Sequence, residues 1–437
     1  MTAKSESILE VVTIEANDKS QDVDIRNGVM SIDYFEDIFS PTVTAKIVVY
    51  NTGDTIKGKD GKIQSLYNGL PLRGGERVSI KIAPNTEENA GLDYSENYQD
   101  YLYVSSITNV LTSAKKESFV LNLVSREAIT NETMRVPIKF PTSSAIDVSI
   151  KKILKDYLKT EKEIDADPTS NTYGFIGNMR KPFNIITWLA SKAVSEQDNA
   201  GFFFYQTQDG YQFKSIDNLI NQEPKATYEY TEVNMSDTER NNDFMIMAYS
   251  TNKNQDLLEK LRLGAYSSFV ATYDPLESKF NLPQEAEFTL VTDGKNLGQE
   301  LKLPPINEES DRTLGDIPSR VMTMVLDRGV LEKGVKTDKN ADPLQYQAQS
   351  LMRYNTLTTQ QMHMQVPLNT NLRAGDTIKC MFPKITSEDE DVDDEQSGLY
   401  LIKEIRHHFG TSSSETSMKL IRDTFGLYGV NNDNGGK

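Results

Sequence analysis

Two stretches about 300 residues apart repeat one order of residues, and a chain that repeats a turn together with its strands is constrained to build one small unit twice. The first reads Leu72-Arg-Gly-Gly-Glu-Arg-Val-Ser-Ile-Lys-Ile-Ala-Pro84, the second Leu372-Arg-Ala-Gly-Asp-Thr-Ile-Lys-Cys-Met-Phe-Pro383. Leu72, Arg73, Gly75 and Glu76 match Leu372, Arg373, Gly375 and Asp376. Each stretch reads as a turn feeding a strand: the glycine permits positive φ, and the alternation after it suits a pleated strand.

The neighbouring segments keep the same order. Both strands run into an acidic loop: roughly 85–100, with Glu87, Glu88, Asp93, Glu96 and Asp100, and roughly 386–396, with Glu388, Asp389, Glu390, Asp391, Asp393, Asp394 and Glu395. Tyr101-Leu-Tyr-Val-Ser-Ser-Ile107 then parallels Leu399-Tyr-Leu-Ile-Lys-Glu-Ile405. Polar turns follow, Ser113-Ala-Lys-Lys116 and Thr411-Ser-Ser-Ser414, and then closing strands, Phe119-Val-Leu-Asn-Leu-Val124 and Thr416-Ser-Met-Lys-Leu-Ile421. Ahead of each turn, a strand over 42–52 corresponds to one over 361–370, both ending in Asn-Thr. Chance recurrence of common Gly-acid turns is the rival reading, and it must account for four elements in one order. Several short strands joined by turns suggest a small barrel in each copy.

The middle of the chain mixes helix and strand signals. Ile146, Ile150, Ile153, Leu154, Tyr157 and Leu158 have helical spacing over 144–159, with Ser143 or Ser144 as N-cap. A second helix starts near Pro182. A hairpin follows, Phe202-Phe-Phe-Tyr205, a turn at Asp209-Gly210, and Tyr211-Gln-Phe213. Strand signals resume at Thr227, then give way to a short helix over 254–263, strands at 269–273 and 321–326, and a helix over 343–357. The fold class expected is therefore β-rich α+β: a first barrel over 1–128, a small α/β domain over 129–225, and a second barrel over 226–425. The second barrel is interrupted by an insertion around 265–340, and a flexible tail follows over 426–437.

Composition narrows the function classes. The net charge of −17 disfavours binding to phosphate backbones or anionic membrane surfaces. Met1 to Val12 lacks the basic and apolar segments of a secretory signal, and apolar runs are as short as 201–205, so no membrane span is expected. The single cysteine, Cys380, rules out an internal disulfide framework and reads as a small hydrophobe in a strand. A soluble protein made in a reducing compartment is expected.

Signals for chemistry are sparse. Of three histidines, His363 sits between Met362 and Met364 in a strand, and the adjacent His407 and His408 point to opposite faces, so they form no ligand pair. A zinc site needs about four ligands. The run Asp389-Glu-Asp-Val-Asp-Asp394 begins like a calcium loop but lacks glycine at its sixth position and has Tyr400 at its twelfth. No phosphate-cradling glycine loop, nucleophile elbow or His-Glu-x-x-His helix is present. Neither catalytic residues, a cofactor nor a metal is expected.

Several segments resemble a known family. Ser40-Pro-Thr-Val-Thr-Ala-Lys-Ile47, Ser215-Ile-Asp-Asn-Leu-Ile-Asn-Gln-Glu-Pro224, Asn254-Gln-Asp-Leu-Leu-Glu-Lys-Leu-Arg-Leu-Gly264, Arg353-Tyr-Asn355 and Val366-Pro-Leu-Asn-Thr-Asn-Leu-Arg-Ala-Gly-Asp376 resemble central baseplate hub proteins of T-even-like contractile-tailed phages. The likeness runs from about residue 8 to 425 and is weakest at about 280–340 and after Phe425. It implies a homotrimeric ring whose subunits each contribute two tail-tube-like barrels. Two barrels in each of three chains give six similar units, which adapt a sixfold tail tube to a threefold spike. The implied partners are the spike protein of the tail tip, the tail tube protein and other baseplate proteins, with neither sequence-specific nucleic acid nor membrane. The implied place is the virion tail baseplate, assembled in the host cytoplasm, with DNA passing through the ring. Acidic side chains lining such a tube would repel passing DNA; solubility alone is the rival account of the charge. The competing readings are a tail-associated peptidoglycan hydrolase acting through a carboxylate pair, the hub of a contractile injection system, and a receptor-binding tail protein.

Overall fold

The computed structural model describes residues 5–51, 56–57, 61–70, 72–86, 89–96, 100–113, 116–230, 242–252, 256–282, 296–299, 303–307, 309–330, 332, 344–384 and 392–427. The N-terminal part comprises β1 (Ile8–Glu15), β2 (Asp22–Asp24), β3 (Val29–Asp37), β4 (Thr44–Asn51), the short β5 (Ile56–Lys57) and β6 (Ile63–Gln64), α1 (Leu66–Gly69), β7 (Arg77–Ala83), β8 (Leu92–Tyr94), β9 (Leu102–Ser113) and β10 (Lys116–Ser125). The middle holds α2 (Arg126–Thr133), β11 (Lys139–Phe140), α3 (Ile146–Asp156), β12 (Ile164–Ala166), β13 (Phe175–Ile176), α4 (Pro182–Ala190), β14 (Phe202–Thr207), β15 (Gly210–Ser215) and α5 (Ile216–Asn221). The remainder is β16 (Thr227–Glu229), β17 (Ala248–Asn252), α6 (Leu257–Leu263), β18 (Ser268–Asp274), β19 (Lys279–Asn281), β20 (Arg320–Val325), α7 (Leu344–Thr356), β21 (Gln360–Pro367), β22 (Thr377–Met381), β23 (Gly398–Gly410) and β24 (Ser414–Arg422).

Period-2 burial drives the strands. In β10, Phe119, Leu121 and Leu123 are buried while the residues between them are only partly covered. Each such buried side chain contributes about 1.5–3 kcal/mol. β4 pairs with β10, β10 with β9 and β9 with β7, all antiparallel. In the C-terminal part β21 pairs with β24, β24 with β23 and β23 with β22 in the same sense. A fifth strand joins each set in the same place, β3 on β4 and β17 on β21. The sixth differs: β1 lies antiparallel on β7, whereas β16 lies parallel on β22.

The strand pairings bring the two stretches into correspondence almost to the residue. Leu123 lies opposite Val104 in one set, and Leu420 lies opposite Ile402 in the other, so 101–107 and 399–405 are equivalent as aligned. A register shift follows at the same step in both, after Val104 and after Ile402. The shared Asn-Thr, however, is offset. Tyr50 faces Ser118 and Pro367 faces Glu415, which makes Asn51 equivalent to Leu368 rather than to Asn369. The first acidic loop is also more structured than expected. Leu92 and Tyr94 are buried on β8, paired to β7, and Asp93 turns outward to Lys81 at 2.9 Å.

Between the sets, apolar residues at helical spacing bury α3 through Ile146, Ile150, Ile153 and Leu154. The expected serine cap gives way to Ala145. Thr169 Oγ1 accepts instead from the amides of Ile146 and Asp147, at 3.1 and 3.3 Å. α4 begins at Pro182 as expected. The hairpin turn is one residue earlier than predicted, since Thr207 pairs with Gly210. Gly210 instead opens β15 beside the parallel strand β12, where a Cβ would stand 2.4 Å from the Glu163 carbonyl oxygen. Strands β18, β19 and β20 form a separate small sheet within the expected insertion. Three buried clusters result, and they interlock. Leu368 and Phe409 of the second set pack into the first set's core, and Phe203, Tyr205 and Ile216 pack into the second's. Among the described residues, no helix is long and apolar enough to cross a membrane.

Candidate assembly site

The repeated turn has one geometry in both copies. Gly75 and Gly375 each adopt φ of 91°. The Gly75 amide donates to the Val104 carbonyl at 2.7 Å, and the Val104 amide returns to the Glu76 carbonyl at 2.9 Å. Gly375 and Ile402 do the same, and the Ile402 amide reaches the Asp376 carbonyl; both bonds are 2.8 Å. The acid closes the turn from below: Glu76 accepts from the amide of Arg73 at 2.7 Å, and Asp376 from the amide of Arg373 at 2.8 Å. This satisfies a turn amide that the strand ladder does not reach. Leu72 and Leu372 are both buried beside these turns.

The surroundings differ. Arg73 is exposed, whereas Arg373 is largely covered: its Nε donates to Asp209 at 3.0 Å and its Nη1 to the Thr370 and Leu372 carbonyls. A cleft of about 400 Å3 opens there, between the β14–β15 hairpin, α5 and the second turn. Most of its charges are matched, Lys214 with Asp165 and Asp167, Arg373 with Asp209, Lys225 with Asp376, and Glu163 lines it as well. A seam between packed elements fits this arrangement better than a ligand site does.

The second turn is also where the two strand sets meet. β3 of the first set pairs antiparallel with β23 of the second, from Glu404 opposite Asp37 to Gly410 opposite Ser31. Glu36 of β3, only 1% exposed, accepts from the amides of Ala374 at 2.9 Å and Gln208 at 2.7 Å and from the Tyr34 hydroxyl at 2.8 Å. The hydroxyls of Tyr34 and Tyr94 lie 2.7 Å apart. Burial pushes the Glu36 carboxyl up to about 7, against the opposing pull of the Arg373 guanidinium and of the hydrogen bonds it accepts. On the outer side of the joint, Asp33 bridges Arg406 and His408, at 2.8 and 2.7 Å.

The histidines fall as their strand positions predicted, His407 inward and His408 outward, with His363 exposed on β21. His407 faces the Thr416 hydroxyl at 3.0 Å, but both are buried. Burial, with the Arg373 charge nearby, holds its imidazole down to about 3, which makes it a weak base. Cys380 is buried in β22 and its thiol is pushed up by burial. Among the described residues, no group of three or more His, Cys, Asp or Glu is placed to hold a metal ion. The calcium-like run over 389–394 lies partly outside the described residues.

β3 carries the residues that sequence reasoning missed. Ile32, Tyr34 and Glu36 alternate inward. The period-2 pattern was there to be found, but three acids, Asp33, Glu36 and Asp37, masked it.

No protein-family model matches the chain. Over 371 residues it is 21% identical to the probable baseplate hub protein gp334 of Vibrio phage KVP40, covering 81% of this chain and 83% of that one. In fold it is similar to the tail protein from Neisseria meningitidis MC58, with a TM-score of 0.53 and 10% identity, covering 94% of this chain and 96% of that one. The 43 kDa tail protein of prophage MuSo2 from Shewanella oneidensis gives a TM-score of 0.52 at 9% identity, covering 95% and 98%. At such identities the structural likeness speaks for the fold alone.

Two predictions follow from the turn and the joint. Gly75→Ala should cost roughly 1–2 kcal/mol, from positive φ alone. Gly375→Ala should cost about 1–3 kcal/mol more, because a Cβ there would stand 2.2 Å from Tyr205 Oη. Denaturant melts compare them, and equal losses would contradict the assignment. Glu36 supplies the second. Its carboxyl is raised from an ordinary 4.5 to about 7 on folding, so the folded chain holds the extra proton and stability falls as pH rises through that window. Glu36→Gln should therefore gain on the parent by up to about 3 kcal/mol between pH 4.5 and 8. A pH-independent difference would contradict a buried titrating carboxyl.

The chain is thus similar in sequence to a probable phage baseplate hub protein, and in fold to tail proteins, one of them from a prophage.

Proposed function

We propose that this chain is a structural subunit of the baseplate hub in a contractile phage tail. Three copies close a ring in which each contributes two tail-tube-like barrels, over residues 1–128 and 226–425, with the α/β region 129–225 between them. The ring joins the tail tube to the central spike and leaves a passage for DNA. Its place is the tail baseplate of the virion. Its role is mechanical rather than catalytic.

One observation carries this reading: a single chain holds two equivalent strand sets joined edge to edge, β3 to β23. A joint of this heterologous kind builds a ring when its rotation closes, and three such pairs then present six similar units. The sequence likeness to a baseplate hub protein over four-fifths of the chain supports the same reading.

Light scattering tests it. The purified chain, alone or mixed with the spike protein of its own phage, should run at about three times the 49.2 kDa chain mass. A stable monomer in both settings contradicts the ring.

A further inference from the structure

The joint inside the chain predicts the joint between chains. In the second strand set, β23 uses its far half, 404–410, to pair with β3, and those residues are buried or half-buried. The equivalent half of β9, 106–113, pairs with β10 on one side. Among the described residues no strand pairs with its other side, and all of 106–113 but Ile107 is exposed. Leu111 is 70% exposed and Val110 40%. At the opposite end of the sheet path stands β17, the strand equivalent to β3.

We infer that β9 of one copy pairs antiparallel with β17 of the next, repeating between chains the β23–β3 joint found within one. This rests on the ring proposed above and specifies its interface. The equivalences fix the register. Thr112 faces Glu117 in β9–β10, as Phe409 faces Ser414 in β23–β24; Leu111 and Ser113 therefore stand where His408 and Gly410 do. Tyr249 faces Met364 as Ile32 faces Ile47, so Ser250 stands where Asp33 does. The pairs His408–Asp33 and Gly410–Ser31 become Leu111–Ser250 and Ser113–Ala248 between copies. β9 carries one more residue than β23 over this stretch, and absorbs it at Asn109, whose φ is 54°, within a register shift against β10. The joint covers Leu111 and Val110, which solvent otherwise meets. It also puts the uncharged residues Leu111, Thr108 and Ser250 where the internal joint has the Asp33–Arg406–His408 bridge.

Cysteine pairing tests this, because directly opposed strand residues have Cβ atoms about 4.5–5.5 Å apart, close to disulfide range. Both sites are exposed, and the native Cys380 is buried. The full-length double variant Leu111→Cys, Ser250→Cys is oxidised mildly under the conditions where light scattering reports three chains. Covalent trimer should become the main band on a denaturing gel, and either single variant should give none. The mismatched pair Leu111→Cys, Asn252→Cys should link at least tenfold less. A three-chain assembly without cross-links overturns this joint and leaves the ring reading standing. Equal linking by the mismatched pair overturns the register, and dimers from Leu111→Cys alone would mean β9 meets β9. Absence of any assembly overturns the ring and the joint together.

Discussion

The antiparallel pairing of β3 with β23 is the interaction on which the rest depends, because it makes one sheet from two strand sets. Without it, each set would present a long open edge to solvent, which natural sheets avoid. The pairing also carries Glu36 into the interior. A carboxylate taken out of water is costly unless its oxygens are satisfied. Here the amides of Ala374 and Gln208 and the Tyr34 hydroxyl offset part of that cost, and in doing so the acid of one set fastens the turn of the other. Sheet register, turn position and hairpin position are thereby held at one point.

The two copies share strands and turn geometry but not surroundings. The first turn keeps Arg73 in solvent, and Asn17 donates to Gly74 and Glu76. The second is covered by the β14–β15 hairpin, with Arg373 held against Asp209 and Tyr205 packed on Gly375. A ring built from such chains would repeat its strands six times and its flanks three times. That division suits a part standing between a sixfold tube and a threefold spike, and it follows from where the α/β region packs, not from the repeat itself.

The repeat was legible because its residues carry local demands. Gly75 and Gly375 need positive φ, Glu76 and Asp376 must accept a turn amide, and Leu121 and Met418 must face inward. Equivalent demands leave equivalent letters, and the closing strands aligned to the residue. The Asn-Thr pairs misled by one position because their likeness reflects composition at a strand end, where no shared contact fixes the register. β8 hid in an acidic loop because its outward residue, Asp93, is bound to a lysine across the sheet. β3 was missed for a related reason. Its buried acid is stabilised by groups more than 170 positions away in the chain, and local pattern carries no trace of them. The joint that organises the molecule was thus the least readable part of it.

The central claim is that this joint, repeated, closes a ring. End-on averaged images of the purified assembly by electron cryomicroscopy test it most directly. The account predicts a closed ring of six similar densities around an open centre, with peripheral features alternating to give threefold symmetry. Three compact particles without a shared ring, or a ring whose densities do not pair within each chain, would contradict it.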